Sequence, residues 1–327
     1  MFRYLSKRLA YYLVLVIAST FLTYLLASVA LSPRANFEGR NPQPSPAAVT
    51  AQLNALGISD KKPVLERFGS WSAHALAGNL GETIDGTSVN AELGRRIGVT
   101  LRLLIIGTLA GTVIGVLLGA WSAVRQYRVS DHVITLVSFV ILSTPPFLLA
   151  VLLKTGAIKF NQSTGTSFIK FTGEATPDLH GGVLTHLSDD AVHLLLPSLA
   201  IGLIGIATYT RYQRATMLDA LGSDYIRTAQ AKGLTRRKAL FKHALRMALI
   251  PMSTFFAYNF LTIFTSAIFT EVIFDWNGIN AWFVESIGRN DINSVVAVTL
   301  VTAIVVLCAG FLADVLHAAL DPRVRHV

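Results

Sequence analysis

Apolar residues gather in six long runs along this chain, at about 9–31, 99–124, 132–154, 192–214, 247–271 and 293–317. Each comes close to the ~20 apolar residues a helix needs to cross a bilayer. The pattern predicts an all-α membrane protein of six crossing helices. The second run carries Gly107, Gly111, Gly115 and Gly119. Their spacing of four clears one helix face of side chains and predicts close approach of a neighbouring helix. The third run contains Ser143-Thr144-Pro145-Pro146. Two prolines there interrupt the backbone ladder and free carbonyls that must find partners. Such irregularity belongs against protein or a water-filled cavity, so Ser143 and Thr144 are candidates to line a path; a simple kink is the alternative. The fifth run is rich in aromatics around Asn259 and Thr262. Depth and polarity make those two further path candidates, although a lone Asn in a span also serves to bond a neighbouring helix.

The polar segments between the runs set the orientation. With the N-terminus inside, segments 1–8, 125–131, 211–246 and the tail after 317 hold sixteen Lys and Arg, while 155–191 and 272–292 hold Lys159, Lys170 and Arg289. The excess predicts both termini on the cytoplasmic side; the first outer segment, 32–98, is too long to count in this balance. That segment opens with a Pro-rich stretch, NPQPSPAA, which favours extended chain. Short helices are expected around 47–56 and 62–77, with turns at Gly57, Gly78, Gly81 and Gly86. It is too small to build a substantial core alone and should pack on the outer face of the bundle, as a docking platform or as a passive cap. The cytoplasmic stretch from Asp224 to Pro251, DYIRTAQAKGLTRRKALFKHALRMALIP, reads as a short helix, a stop at Gly233 and a second, basic helix leading into the membrane. Gly233 suits the left-handed position that ends a helix. This is the form of a docking element; a basic loop that merely follows the positive-inside rule is the plainer reading.

Composition agrees. Of 327 residues 52% are hydrophobic and only 14% charged, where soluble domains carry roughly 25% charged residues. The mean hydropathy is +0.53. The net charge of +9 is accounted for by loops on one side of a bilayer and calls for no nucleic acid. The single cysteine, Cys308, excludes an internal disulfide and a cysteine metal cluster. The first run is longer than the apolar core of a signal peptide and is read as a retained span. His180, His186 and His193 lie six and seven apart, a spacing that does not put them on one helical face, so no metal site is expected. The chain has no GxxxxGK[ST] loop, no GxSxG and no HExxH. No cofactor is expected in it. If it drives uphill movement, the energy must come from a partner.

The ordered motifs are similar to one family. Asp224-Tyr225-Ile226-Arg227-Thr228-Ala229, Ala231-Lys232-Gly233-Leu234, His243-Ala244-Leu245-Arg246 and Ala248-Leu249-Ile250-Pro251 together resemble the EAA loop of the B-type permease subunit of dipeptide/oligopeptide ABC importers. The opening FRYLSKRL, the segment HLLLPSL from His193 to Leu199, Thr270-Glu271-Val272-Ile273-Phe274 and the tail Leu320-Asp321-Pro322-Arg323 resemble the same family in the same order. Departures are Gln230 where the family often has Arg, Met247 where it often has Asn, Asn277 and Asn280 around Gly278-Ile279, and Ser32-Pro33-Arg34 after the first span.

The resemblance implies a six-helix type I ABC importer permease with a sizeable first extracytoplasmic loop. The expected layout is a cytoplasmic N-terminus at 1–8, a first span at 9–31, an extracytoplasmic region at 32–98, a permease core at 99–317 with its cytoplasmic coupling loop at 211–246, and a cytoplasmic tail at 318–327. The implied partners are a C-type permease, two cytoplasmic ATPase subunits or domains that bind ATP and Mg, an extracytoplasmic substrate-binding protein and membrane lipids. The implied ATPase-coupling residues are Asp224, Tyr225, Ala229, Ala231, Lys232, Gly233, Leu234 and Arg236. Within this architecture a nickel chelate or glutathione could replace peptide. Rival readings are an ion-driven secondary transporter, which would need a midplane ion site, and a membrane scaffold that recruits an enzyme through the basic loop.

Overall fold

The computed structural model describes residues 2–38, 41–235, 238 and 244–320. The side chains of 2–7, of 313 and 316–320, and of several residues between 246 and 266 lie outside that description. The described chain is helical: α1 (Phe2–Ala30), a 3-10 turn (Pro33–Phe37), α2 (Pro46–Ala55), α3 (Val64–Leu76), α4 (Val89–Val124), α5 (Val129–Ser143), α6 (Pro146–Thr164), α7 (Val183–Leu221), α8 (Asp224–Ala231), α9 (Leu245–Phe274), α10 (Ile279–Gly288) and α11 (Ile292–Leu320). Among the described residues the only β-type pairing is an isolated bridge between Glu82 and Ser88.

All six apolar runs fall on helices. Arg8–Ala30, Val89–Val124, Val183–Leu221 and Ile292–Leu312 are each long and apolar enough to cross a membrane. The thirty residues of α9 include only Arg246 and Glu271 as charged groups, and at ~1.5 Å per residue they exceed the ~30 Å hydrocarbon core. The third run, expected as one span interrupted at its two prolines, is divided more sharply than a kink. It is a broken pair, α5 and α6, bent by 106°. The cause is local. Pro145 and Pro146 cannot donate to the α5 ladder, and Pro146 instead occupies the first turn of α6, where a missing N–H is harmless. Thr144 closes α5, its N–H bonding the Ile141 carbonyl at 3.2 Å and its hydroxyl the Val140 carbonyl at 2.8 Å.

Some helices extend past the apolar runs, and one was not expected at all. α4 begins ten residues before the apolar run, on a polar turn where Glu92 bonds Arg95 at 2.7 Å and Arg96 at 2.9 Å. Pairs at i, i+3 and i, i+4 support such a helix without apolar content. α10 lies in an outer segment for which no helix was expected. Its ten residues are too few to stand out as a run, yet Asn280 and Trp282 are buried on it.

The chain divides into two compact units. One comprises Met1–Thr100 and Asn277–Cys308, the other Leu101–Trp276 and Ala309–Val327. In the first, the predicted turns at Gly57, Gly78, Gly81 and Gly86 all have positive φ, between +72° and +94°, which explains glycine at those positions. The unit closes around buried Tyr24, Phe37, Leu53, Ile58, Trp71, Ile84, Ile292 and Val296. The outer segment therefore gains its core by packing on α1 and the start of α11. Tyr24, Phe68 and Trp71 form an aromatic cluster with ring centroids 5.4 to 6.4 Å apart. Asp291 caps α11, accepting from the backbone and hydroxyl of Ser294 and from the N–H of Ile84.

In the second unit the glycine stripe does what its spacing predicts. It faces α7, which answers with Gly202 and Gly205. A Cβ on Gly107 would meet Ile201 at 3.1 Å, on Gly111 the Gly202 carbonyl oxygen at 2.9 Å, on Gly115 Tyr209 Cβ at 2.7 Å, and on Gly119 the Thr210 carbonyl oxygen at 2.5 Å. The two backbones are thus in contact along four turns. α5, α6 and α9 pack against α7 as well, and α9 against α6.

Candidate coupling surface

α7 passes into α8 through Gly222 and Ser223. The end of α8 is built by backbone geometry. Gly233 has φ +89°. Its N–H bonds the Gln230 carbonyl at 2.9 Å, and the Leu234 N–H reaches back to the Ala229 carbonyl at 3.2 Å. This is a Schellman closure, which satisfies the last carbonyls of the helix and needs a left-handed residue. Leu234 packs into the same apolar cluster as Ala229, the contact that usually accompanies the motif.

The eight residues of α8 have two faces. Ile226 and Ala229 are buried against Ala123 of α4, Met217 and Ala220 of α7, and Ala244 and Ala248 at the start of α9. Asp224, Tyr225, Ala231 and Lys232 are exposed, as is Gly233. Tyr225 is 39% exposed, a large aromatic ring presented on a polar helix. Of the predicted coupling residues, Ala229 sits differently from the expectation of a partner contact. Its methyl is 8% exposed and faces this chain's own helices, so it anchors the element and leaves the outer face to its neighbours. Arg236 lies outside the described residues, as does most of the second helix expected after Gly233. The tail motif at 321–323 also lies outside them.

Beside this element stands a polar cluster that sequence reasoning passed over. Asp131, in the first turn of α5, is 2% exposed. It accepts from Arg214 Nε at 2.7 Å and Nη2 at 2.8 Å, from the Tyr127 N–H at 2.9 Å, and from the Ser122 hydroxyl. The bidentate pair ties α5 to α7 ten residues before α8 begins, and Ser122 adds the end of α4. The signal was faint: one carboxylate in a basic connection, and one arginine among the nine Lys and Arg of 211–246.

The path candidates are divided between two elements. Ser143 is exposed and Thr144 half-buried at the break between α5 and α6. Asn259 and Thr262 lie on α9; their side chains are outside the described residues. Lys154 of α6 donates to the Ile273 carbonyl near the end of α9. His193 is buried, its ring nitrogens 3.0 Å from the Gly173 carbonyl and 3.3 Å from the Thr176 hydroxyl, while His180 and His186 are exposed. Among the described residues no three His, Cys, Asp or Glu gather as a metal site would require.

The arrangement is a bundle with an amphipathic helix seated among three of its long helices and an outward face left clear. Residues 115–326, which include all of α8 and its flanks, match the family described as binding-protein-dependent transport system inner membrane component. The chain belongs to that family. It is 51% identical over 325 residues, 99% of each chain, to the oligopeptide transport system permease protein OppB of Mycobacterium tuberculosis and of Mycobacterium bovis. It is 30% identical to the dipeptide transport system permease protein DppB of Escherichia coli, over 86% of each chain. Inward-facing structures of the MetNI methionine ABC transporter share its fold, at 16% and 18% identity and TM-scores of 0.50 and 0.52, covering 70% of this chain and 96% of theirs. The chain is a multi-pass membrane protein with an ABC importer permease fold and is a transport subunit, not an enzyme. Membership implies partner permease and ATPase subunits in general terms.

Proposed function

We propose that this chain forms half of the translocation path of an ATP-driven importer of short peptides, opposite a C-type permease, and that α8 docks in a groove on one of two cytoplasmic ATPases. Both termini lie in the cytoplasm on this reading, and an extracytoplasmic binding protein delivers the substrate. ATP and Mg belong to the ATPases. The observation that carries the proposal is the construction of α8. It is rooted by Ile226 and Ala229 among α4, α7 and α9, closed by Gly233, and exposes Tyr225, Ala231 and Lys232 outward. A rigid helix with one buried and one free face can carry a displacement from an ATPase into α7, whose two positions bias the path outward or inward. The peptide assignment draws on the full-length likeness to OppB and on the likeness to DppB.

The test is uptake of a radiolabelled tripeptide in cells that depend on this chain. Gly233→Glu should abolish uptake while the subunit stays in the membrane at its normal level. Uptake at the unaltered rate would remove α8 from the mechanism. Inactivating the partner ATPase should stop uptake too; persistence on an ion gradient would favour a secondary transporter.

A further inference from the structure

The first unit contains a polar cavity of about 690 Å³, within the 300–1,000 Å³ usual for small-ligand sites. It is enclosed by the end of α2, the loop after it, α3, the turn around Gly81 and the first turn of α11. It lies in neither the coupling surface nor the set of path candidates. Its inner wall holds Arg67, only 6% exposed. Among the described residues the guanidinium makes one hydrogen bond, from Nη1 to the Ile58 carbonyl at 3.3 Å. Its Nε has no hydrogen-bond partner, and no carboxylate pairs with Arg67 among the described residues. Ser59 beside it is 1% exposed, and its hydroxyl is also without a partner among the described residues. A buried cation without an anion is costly, and charged groups so placed are ordinarily paired.

The rest of the lining is arranged around that cation. Trp71 forms an apolar wall, its indole N–H already used by the Leu80 carbonyl at 3.2 Å. Asn293 fixes the far side, donating to the carbonyls of Leu56 and Glu82, both at 3.0 Å. At the rim, Lys62 and Glu66 stand 3.7 Å apart with side chains 55% and 61% exposed. Unpaired positive charge is therefore deep, while the mouth carries an exposed Lys62–Glu66 ion pair whose carboxylate faces solvent.

We propose that this cavity binds a small zwitterion, an α-amino acid or short peptide, with its carboxylate on Arg67 and Ser59 and its ammonium toward Glu66. A guanidinium matches a carboxylate with two parallel hydrogen bonds; Nε and the Ser59 hydroxyl, both covered in this structure, gain the partners they lack once the two side chains rotate toward the cavity. Asn293 belongs to α11, so a ligand here would touch a spanning helix through one side chain.

The test is isothermal titration of the purified full-length chain in lipid nanodiscs with tri-alanine and with tri-alanine C-terminal amide. Saturable binding of tri-alanine, at least tenfold weaker for the amide, is expected. Arg67→Gln should remove that difference. Because Arg67 is buried, Ser70→Trp on the exposed part of the cavity wall is the second variant. It should abolish binding with the helical circular dichroism and melting temperature unchanged. Equal affinity for the acid and the amide, no binding at all, or full binding by a folded Ser70→Trp chain would each overturn the proposal. Retention of binding in that last variant would locate the ligand in the translocation path instead.

Discussion

The glycine stripe permits a graded test of how tightly α4 and α7 are locked. Alanine at 107, 111, 115 and 119 adds one methyl in each case, but the space differs. The added carbon would stand 3.1, 2.9, 2.7 and 2.5 Å from its nearest neighbour, against the 3.4 Å at which ordinary contact begins. At Gly119 the obstacles are the Thr210 carbonyl oxygen, Gln213 Cβ at 2.8 Å and the Arg214 backbone nitrogen at 3.0 Å. Two of these are backbone and cannot rotate away, so the helices must separate. Overpacking of this kind costs about 1–3 kcal/mol. Alanine also stabilises a helix by roughly 0.5–1 kcal/mol over glycine, so with the upper end of the overpacking cost at this tightest site the expected net loss for Gly119→Ala is about 2 kcal/mol. Gly156 on α6 is the control, since a Cβ there meets nothing within 4 Å and only the favourable effect remains. Melting temperatures of the five variants in one detergent should fall in the order 156 above native, then 107, 111, 115 and 119. If Gly119→Ala melts with or above Gly156→Ala, the backbones are not in contact and the packing argument is wrong.

Three further outcomes follow from named contacts. Asp131→Asn should destabilise the second unit by about 3 kcal/mol, because it leaves the Arg214 guanidinium without its bidentate acceptor; Asp131→Leu with Arg214→Met should be milder than either single change, measured by the same melts. At Gly233 there is room for a side chain but not for its φ, so peptide uptake should fall in the order Gly, Asn, Ala, since Asn tolerates the left-handed region and Ala does not; equal uptake by Asn and Ala variants would remove the closure of α8 from the mechanism. In the first unit the hydrogen bond from Arg34 holds Asp60 below the usual carboxylate range. A depressed folded value means the contribution is present above about pH 4 and is lost as pH falls through that lower value; with both side chains partly exposed, Arg34→Gln should change stability little at pH 7 and should flatten the acid side of the stability profile.

The elements that were legible in the sequence are those whose physics is local. Apolar runs located every long helix, the Gly107 to Gly119 spacing predicted a bare face, and Gly57, Gly78, Gly81, Gly86 and Gly233 marked left-handed turns because few other residues adopt them. The break at Thr144-Pro145 was legible as a disruption, while its 106° bend depends on what α6 packs against and has no local signature. α10 escaped because ten mixed residues do not form a run. The Asp131–Arg214 pair escaped because its partners are 83 residues apart and each looks like an ordinary loop charge. At α8, composition suggested small residues for an incoming surface, but only the packing of α4, α7 and α9 decides that Ala229 faces inward and Ala231 outward.

These contacts bear on whether α8 could act as a lever rather than as a tether. A tether would need flexible joints at both ends. At its start α8 follows α7 with only Gly222 and Ser223 between, and Gly222 has helical torsions with its N–H bonded to the Leu218 carbonyl at 3.1 Å. At its end Gly233 is closed by two backbone hydrogen bonds. Between them Ile226 and Ala229 are buried in one cluster with residues of three long helices. Just behind, Arg214 is clamped to Asp131, and the α4–α7 backbones meet at Gly119. A push on Tyr225 or Lys232 therefore has no soft element in which to dissipate before it reaches α7. Loosening any one of these joints should uncouple ATP hydrolysis from uptake before it lowers hydrolysis itself. In reconstituted complexes Gly222→Gly-Gly-Ser, which lengthens the joint by two residues, should retain ATPase activity while peptide transported per ATP falls several-fold. Unchanged stoichiometry with that insertion would mean that displacement enters the bundle by another element.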